Sequence, residues 1–167
     1  MRALTIGAAM TLLAACGQGG AAPAAEAIVQ PPAEDAALAA AEKRARETLP
    51  VFWSKFDQQA PGTSNYSVKV ALQAPGGYTE HIWAQPLTHS EAEVVAKLLN
   101  DPVRVTGLAY GSEVRVQPNQ ISDWAYGKDG KYYGHFTTRA LTQYATPEQR
   151  AQAAAILAAE PLETEVR

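Results

Sequence analysis

A small set of side chains in this sequence could perform acid–base chemistry. Glu80 and His81 are adjacent, and Asp123, His135 and Arg139 follow later in the chain. A carboxylate with an imidazole is the minimum for general acid–base catalysis or for a pair of metal ligands. Adjacent residues of a regular strand point to opposite faces, so Glu80 and His81 cannot serve one site from such a strand. These residue types nonetheless make a periplasmic hydrolase that uses Glu80 or Asp123 with His81 our alternative hypothesis.

Structural roles explain the same residues more simply. Glu80 and Arg139 would form an ion pair, and Asp123 would cap a turn or a helix beside Trp124. The sequence contains no His-Glu-x-x-His zinc spacing, no Gly-x-Ser-x-Gly elbow and no phosphate-binding glycine loop. We therefore predict that the protein is not an enzyme, that it has no catalytic residue, and that it holds neither a metal nor a cofactor.

Aromatic residues near these polar groups are the richer signal, because aromatic and polar side chains together line many binding grooves. Trp83, Trp124 and Phe136 are expected mainly to fill the core. The tyrosines on either side of the Asp129-Gly130 turn are expected to form an exposed contact surface; they are Tyr126, Tyr132 and Tyr133. The candidate cluster, for a ligand or for structure, comprises Glu80, His81, Trp83, Asp123, Trp124, Tyr126 and Arg139.

Helices are predicted near both ends of the folded region. Residues 35–49 are rich in alanine, with acidic residues first and basic residues last, as suits a helix dipole. Pro50 can begin a continuing or a new helical segment, whose apolar face lies within residues 51–56. Thr146-Pro147-Glu148-Gln149 contains a capping box and predicts a second helix that ends near Pro161.

Strands are predicted between these helices. Apolar and polar residues alternate in residues 66–73, and a second run at 78–85 follows the Pro75-Gly76-Gly77 turn, so an antiparallel hairpin is expected. Further alternation at Val103 and Val105, then at Val114 and Val116, completes a meander of at least four strands. Residues 90–99 are ambiguous, because a capping box favours a helix whereas β-branched residues and the turn that follows favour a strand.

These elements predict an α+β fold. We expect a single domain with a curved antiparallel sheet of four to six strands, packed by the N- and C-terminal helices. A partly barrel-like sheet is an alternative form of the same fold. Residues 34–161 are enough for one hydrophobic core and too few for two domains.

Five short blocks of sequence carry a resemblance to a known family. They are EHIW at 80–83, AKLLNDP at 96–102, GSEV at 111–114, ISDW at 121–124 and GHFTTRAL at 134–141. The blocks resemble the YegJ-like bacterial family, which is catalogued only as a domain of unknown function, across residues 45–142. The resemblance implies a strand before the Asn-x-Pro turn, so we assign residues 94–99 to a strand. The resemblance implies no activity. The sequence departs from the family pattern at Ala96, where glycine is usual, and at Ser112, where aspartate is usual.

The N-terminus has the pattern of an export signal. Arg2 precedes an apolar run over residues 3–15, which is shorter than the roughly twenty residues that span a bilayer. The run ends in Leu13-Ala14-Ala15-Cys16, which resembles the lipobox of bacterial lipoproteins, in which the cysteine is acylated. Cys16 is the only cysteine, so an internal disulfide cannot form. The alternative is ordinary signal-peptide cleavage at Ala22-Pro23-Ala24, which would remove Cys16.

The lipoprotein resemblance divides the chain and predicts its location. Residues 1–15 would be the lipoprotein signal peptide, 16–33 a flexible Ala/Gly/Pro tether, 34–161 the α+β domain and 162–167 a C-terminal tail. Gly17 follows the cysteine instead of aspartate, which among lipoproteins favours the outer membrane. We therefore expect an exported protein that faces the periplasm and contacts the membrane through acyl chains on Cys16.

Charge excludes one class of partner. The chain has 14 basic and 17 acidic residues and no basic stripe, so a nucleic-acid partner is not expected. The favoured hypothesis is a non-enzymatic cell-envelope module that binds an envelope protein or a small ligand. The hydrolase described above and an architectural envelope component without a ligand are the alternatives. The oligomeric state does not follow from the sequence.

Overall fold

The computed structural model describes residues 35–163. Helix α1 (Ala36–Asp57) precedes strands β1 (Thr63–Ala74), β2 (Tyr78–His89), β3 (Val94–Leu98) and β4 (Glu113–Val116). Strands β5 (Ile121–Lys128) and β6 (Lys131–Gly134) precede the short helix α2 (Phe136–Leu141) and helix α3 (Pro147–Ile156). The predicted signal peptide, Cys16, the tether and residues 164–167 lie outside the described residues.

The strands form one antiparallel sheet in the order β4-β3-β2-β1-β5-β6. This arrangement confirms the predicted α+β fold, and its linear order makes the sheet open. The predicted β1–β2 hairpin is present, with Ala74 paired to Tyr78 across the turn. The β5–β6 hairpin turns at Asp129 and Gly130, which both have positive φ as a tight hairpin turn requires.

Helix α1 continues through Pro50 without a break. The carboxylate of Asp35 caps its start by accepting hydrogen bonds from the amides of Ala37 (2.8 Å) and Leu38 (3.0 Å). Pro50 lies on the exposed side of the helix, so its missing N–H group leaves no buried acceptor without a donor. The sequence left a continuing or a new segment open, and the structure shows the continuing one.

The core lies between α1 and one face of the sheet. Val68, Val70, Ile82 and Trp124 point to this face and share one buried cluster with Phe52 of α1. The core role predicted for Trp124 is therefore confirmed. No helix within residues 35–163 is both long and apolar enough to cross a bilayer.

The segment around β3 resolves the ambiguity in the sequence. Val94–Leu98 is a strand, as the family resemblance implied. Ser90 and Glu93 close a turn ahead of it, because the Ser90 hydroxyl accepts from the Glu93 amide (3.1 Å) and the Ser90 amide donates to the Glu93 carbonyl (2.8 Å). The same capping pair that favoured a helix therefore starts a strand.

Two predicted elements are wrong. Val103 and Val105 form no strand, because their N–H groups bind the Glu80 carboxylate and are not available for a sheet ladder; residues 99–112 form a loop. Helix α3 ends at Ile156 and not near Pro161, because Leu157 adopts extended backbone and forms a parallel bridge with Tyr132 of β6. Leu162, in the predicted C-terminal tail, packs against the core.

Candidate functional site

Glu80 anchors the loop between β3 and β4. Its carboxylate accepts hydrogen bonds from the backbone N–H groups of Val103 (2.6 Å), Arg104 (2.8 Å) and Val105 (3.0 Å). Burial opposes the ionisation of Glu80, but these hydrogen bonds outweigh it and lower the pKa of the carboxyl below its usual value. The predicted ion pair between Glu80 and Arg139 is therefore wrong.

Further hydrogen bonds fix the conformation of residues 99–112. The Asp101 carboxylate accepts from the Tyr110 amide (2.7 Å), and the Ser112 hydroxyl accepts from the Ala109 amide (2.9 Å). The Gly111 amide donates to the Leu98 carbonyl at 2.8 Å. The loop lacks a helix or a strand, yet its backbone is held at both ends and in its middle.

This loop and the β1–β2 turn carry large exposed side chains. Val103 is 82% exposed, Tyr110 65% and Tyr78 56%. The Arg104 guanidinium lies 4.6 Å from the centre of the Tyr78 ring, a cation–π contact that joins the loop to the turn. We call Tyr78, Val103, Arg104 and Tyr110 the loop surface.

Asp123 is fully buried and joins β5 to the first turn of α2. One carboxylate oxygen accepts from the amides of Trp124 (2.8 Å) and Phe136 (3.1 Å). The other accepts from the amide (2.8 Å) and the hydroxyl (2.6 Å) of Thr137. The prediction that Asp123 caps a helix beside Trp124 is confirmed, and this carboxylate is occupied by structural hydrogen bonds.

Lys69 of β1 is paired with Asp123 across the sheet and is also buried. Its ammonium donates to the Thr137 hydroxyl at 2.9 Å, so the three side chains form one polar cluster. Burial raises the pKa of the Asp123 carboxyl above its usual value, and the charge of Lys69 and the hydrogen bonds from Thr137 act against that rise. Such a buried cluster is costly to break, since it would leave a charge without its partner.

A β-bulge in β5 brings Ser122 next to His81. Lys69 pairs with Asp123 and Val70 pairs with Ile121, so Ser122 is the extra residue. Ser122 Oγ lies 2.8 Å from His81 Nδ1 and donates to the Lys69 carbonyl at 3.2 Å. With its hydrogen on that carbonyl, the hydroxyl accepts from His81. For His81 to activate Ser122 as a base, the hydroxyl would have to donate its hydrogen to the imidazole instead. The Glu80 and Asp123 carboxylates, predicted as the catalytic partners of His81, accept hydrogen bonds from backbone amides and, for Asp123, also from the Thr137 hydroxyl.

Trp83 lies on the same face of β2 as His81, as the strand pattern predicted, and this is the face away from α1. The side chain is buried, as expected, but it lies outside the main core cluster. The Lys69 ammonium lies 4.9 Å from the centre of its ring, and the His135 ring packs against it at 4.8 Å. Its indole Nε1 has no hydrogen-bond partner among the described residues.

Arg139 holds α2 against β6. Its Nε donates to the Gly134 carbonyl at 2.8 Å, and Nη2 lies 3.5 Å from the Tyr132 carbonyl. Burial lowers the pKa of the guanidinium, while the negative charges of Asp123 and Glu160 oppose that change. The guanidinium therefore has a structural role in the described part of the chain.

The hairpin tyrosines do not form the exposed surface predicted for them. Tyr126 is only 1% exposed, because alternate residues of β5 point into the core, and its ring stacks on Trp124 and Tyr133. Tyr132 and Tyr133 are half-buried. The Tyr126 hydroxyl donates to the Glu163 carboxylate at 2.7 Å, so this aromatic group is part of an internal network.

Glu163 is the acidic centre of that network. It also contacts the ammonium groups of Lys55 (2.8 Å) and Lys128. Burial opposes its ionisation, but the hydrogen bonds from Lys128, Lys55 and Tyr126 lower the pKa of Glu163 to about 2. This contact ties the chain after α3 to both α1 and β5.

The candidate residues from the sequence therefore do not form one site, although Tyr126 stacks on Trp124 and Lys69 contacts both Trp83 and the Asp123–Thr137 pair. Glu80 lies at the loop, Asp123 and Arg139 lie at the junctions with α2, and Trp124 lies in the core. Sequence reasoning did not single out the loop surface, although the neighbouring glycines at 77 and 111 signal turns that would expose aromatic residues. Within residues 35–163, no group of three His, Cys, Asp or Glu side chains could hold a metal ion.

Comparisons with known proteins place the chain among relatives without an assigned activity. A family model described as an uncharacterised protein conserved in bacteria (DUF2314) matches residues 35–157. Uncharacterised protein YegJ of Escherichia coli is 32% identical over 105 residues, which cover 63% of this chain and 67% of that protein. A putative ankyrin repeat protein of Neisseria meningitidis is 27% identical over 119 residues, which cover 67% of this chain and 47% of that protein. The chain thus spans about half the length of the Neisseria relative. No solved structure matches.

Proposed function

The chain belongs to the bacterial DUF2314 family, and we propose that this member is a non-enzymatic interaction module of the cell envelope. Its partner is a protein that binds the loop surface. The observation that carries this proposal is the role of Glu80. Its carboxylate holds the loop in place by accepting three backbone hydrogen bonds, so its oxygens serve the loop and not a substrate.

The loop surface has the chemistry of a protein contact. Tyrosine and arginine are enriched at protein–protein interfaces and dominate their binding energy, and Tyr78, Arg104 and Tyr110 supply both types. Loops of this length without secondary structure are uncommon in a small domain, and those with a fixed conformation are usually functional. Because hydrogen bonds already fix residues 99–112, a partner would bind without ordering the backbone, which lowers the entropic cost of association.

The groups that could support catalysis are used elsewhere. Asp123 accepts four hydrogen bonds in a fully buried position, and the Ser122 hydroxyl donates to a backbone carbonyl. Neither group is presented to a substrate in this arrangement. This supports an interaction module over an enzyme.

The envelope location is part of the same proposal and is supported by the N-terminal sequence alone. The apolar run before Cys16 and the Leu13-Ala14-Ala15-Cys16 ending suit acylation of the cysteine. Several acyl chains hold a protein firmly to a bilayer, whereas one chain binds only marginally. The domain would then face the periplasm from the outer membrane, as Gly17 after the cysteine favours.

Labelling tests the anchor. Cells that express the full chain are grown with labelled palmitate and fractionated, beside cells that express Cys16→Ser. We expect label in the wild-type protein and sedimentation with membranes, and neither in the variant. A Cys16→Ser protein that still sediments with membranes, or a wild-type protein without label, would contradict the anchor.

Photo-cross-linking in living cells tests the loop surface. A photoreactive phenylalanine analogue replaces Tyr110 or Tyr78, and Tyr144, an exposed tyrosine outside the loop surface, is the matched control position. We expect one discrete protein adduct from positions 110 and 78 and none from 144. An architectural component without a partner would give no adduct at any of these positions, and that outcome would overturn the proposal.

A hydrolase is the second candidate, favoured only by the 2.8 Å contact between His81 and Ser122. It would require the Ser122 hydroxyl to leave the Lys69 carbonyl and become accessible. A panel of chromogenic esters tests it with wild-type protein, Ser122→Ala and His81→Ala. We expect no turnover that depends on either side chain, and a rate that both substitutions abolish without loss of fold would favour the hydrolase.

A further inference from the structure

A cleft of about 580 Å³ opens between α2, α3 and the segment that follows α3. The α3 side is lined by Arg150, Ala153, Ala154 and Leu157, which recur at the spacing of one helix face. Arg139 lines the α2 side. The cleft is wide open to solvent on one side, and its lining combines an apolar surface with a few polar groups, as ligand sites do.

Helix α3 is held at its ends but does not bury this face. None of its residues is buried, although helices of single domains ordinarily pack one face against the core. The capping box at Thr146 fixes its start, and the buried Leu157 fixes its end beside β6. The small side chains of Ala153 and Ala154 leave the space toward α2 unfilled. Because both ends of α3 are fixed, the cleft beside it is a defined part of the fold.

Arg139 and Arg150 supply positive charge to this cleft. Each is positioned by a backbone carbonyl, since Arg139 Nε donates to Gly134 (2.8 Å) and Arg150 Nη1 donates to Ala145 (2.6 Å). Neither guanidinium forms an ion pair with a carboxylate in the described part of the chain. A guanidinium has five N–H donors, so each retains donors beyond the ones already used.

We propose that the cleft between α2 and α3 binds a small amphiphilic carboxylate. Its anionic group would lie on Arg139 and Arg150, and its apolar part would contact Ala153, Ala154 and Leu157. The planar fork of donors on arginine matches a carboxylate in geometry and charge. This site is separate from the loop surface and does not depend on the proposed protein partner.

Negative charge near the cleft limits the charge of the ligand. Glu160, in the segment after α3, and Asp123 both act electrostatically on Arg139. A single carboxylate is therefore favoured over a multiply charged anion. The substitution Glu160→Gln removes the exposed one of these charges, so we expect it to strengthen binding.

Titration with octanoate tests the proposal, using the full exported chain with Cys16→Ser so that no detergent is needed. Calorimetry measures affinity, and amide chemical shifts locate the site. We expect saturable binding with shifts confined to α2, α3 and the segment after α3. Octan-1-ol, which lacks the charge, should bind at least about tenfold more weakly, the factor that a hydrogen bond to a charged group contributes.

Arg150→Gln is the decisive variant, because Arg150 is exposed and its loss should leave the fold intact. We expect it to weaken octanoate binding at least about tenfold. Arg46→Gln is the matched control, because Arg46 is an exposed arginine of α1 outside the cleft, and it should leave binding unchanged. The proposal would be overturned by an absence of saturable binding at millimolar octanoate, by equal binding of octan-1-ol, or by an Arg150→Gln affinity equal to that of the wild type.

Discussion

The Glu80→Gln substitution should loosen the loop surface without affecting the core. The wild-type carboxylate accepts three backbone hydrogen bonds, at 2.6, 2.8 and 3.0 Å. A hydrogen bond to a charged group contributes about 1.5–3 kcal/mol, but water can reach the exposed amides of Val103 and Arg104, and the glutamine carbonyl retains part of the set. We therefore expect a loss of about 1–2 kcal/mol in the free energy of unfolding.

Urea unfolding and amide hydrogen exchange measure this effect together. We expect a lower midpoint with an unchanged slope, and about tenfold less protection of the Val105 amide, which is the least exposed of the three. Glu91→Gln is the matched control. Glu91 is an exposed glutamate in the turn before β3, so its replacement should change neither the midpoint nor the protection of the Val105 amide. Unchanged stability and unchanged loop protection in Glu80→Gln would refute the anchoring role.

Three further substitutions test the internal contacts. Asp123→Asn should lose about 3–5 kcal/mol of stability in chemical denaturation, because it leaves Lys69 buried without its counter-charge; a near-native midpoint would contradict this. Gly134→Ala should prevent stable folding, seen as loss of the thermal transition, because a Cβ there would lie 2.1 Å from the Trp124 carbonyl oxygen. The pKa of Glu163 is lowered to about 2, against 4.5 for the free group. The stability that its ionised form provides is therefore fully present above about pH 4.5 and is lost as the pH falls toward 2. The difference in unfolding free energy between wild type and Glu163→Gln should therefore shrink over that range from at most about 3 kcal/mol, and a constant difference would count against the network.

The fold was largely predictable because it depends on local periodicity and turn chemistry. The alternation in β1, the glycine turn after it and the Asp129-Gly130 turn each specify a conformation within a few residues. The strand at Val94–Leu98 was not predictable from local pattern, because the capping pair at Ser90 and Glu93 serves a turn as well as a helix. There the family resemblance supplied what the local sequence could not.

The candidate site was less predictable because its contacts join residues far apart in the chain. Glu80 has the sequence environment of any strand carboxylate, and only the fold shows that it binds the amides of residues 103–105. Lys69 occupies a polar position of an alternating strand, where an exposed side chain is expected, yet it is buried beside Asp123. Tyr126 likewise lies next to a turn but points into the core.

Cross-linking from position 110 in the Glu80→Gln background tests the central claim most directly. The claim is that Glu80 serves binding by holding the loop surface in shape. Full-length protein with the photoreactive analogue in place of Tyr110 is compared in living cells with and without Glu80→Gln, at matched protein levels. We predict a discrete protein adduct that weakens strongly or disappears when Glu80 is replaced. An adduct of equal yield in both backgrounds, or no adduct in either, would contradict the account.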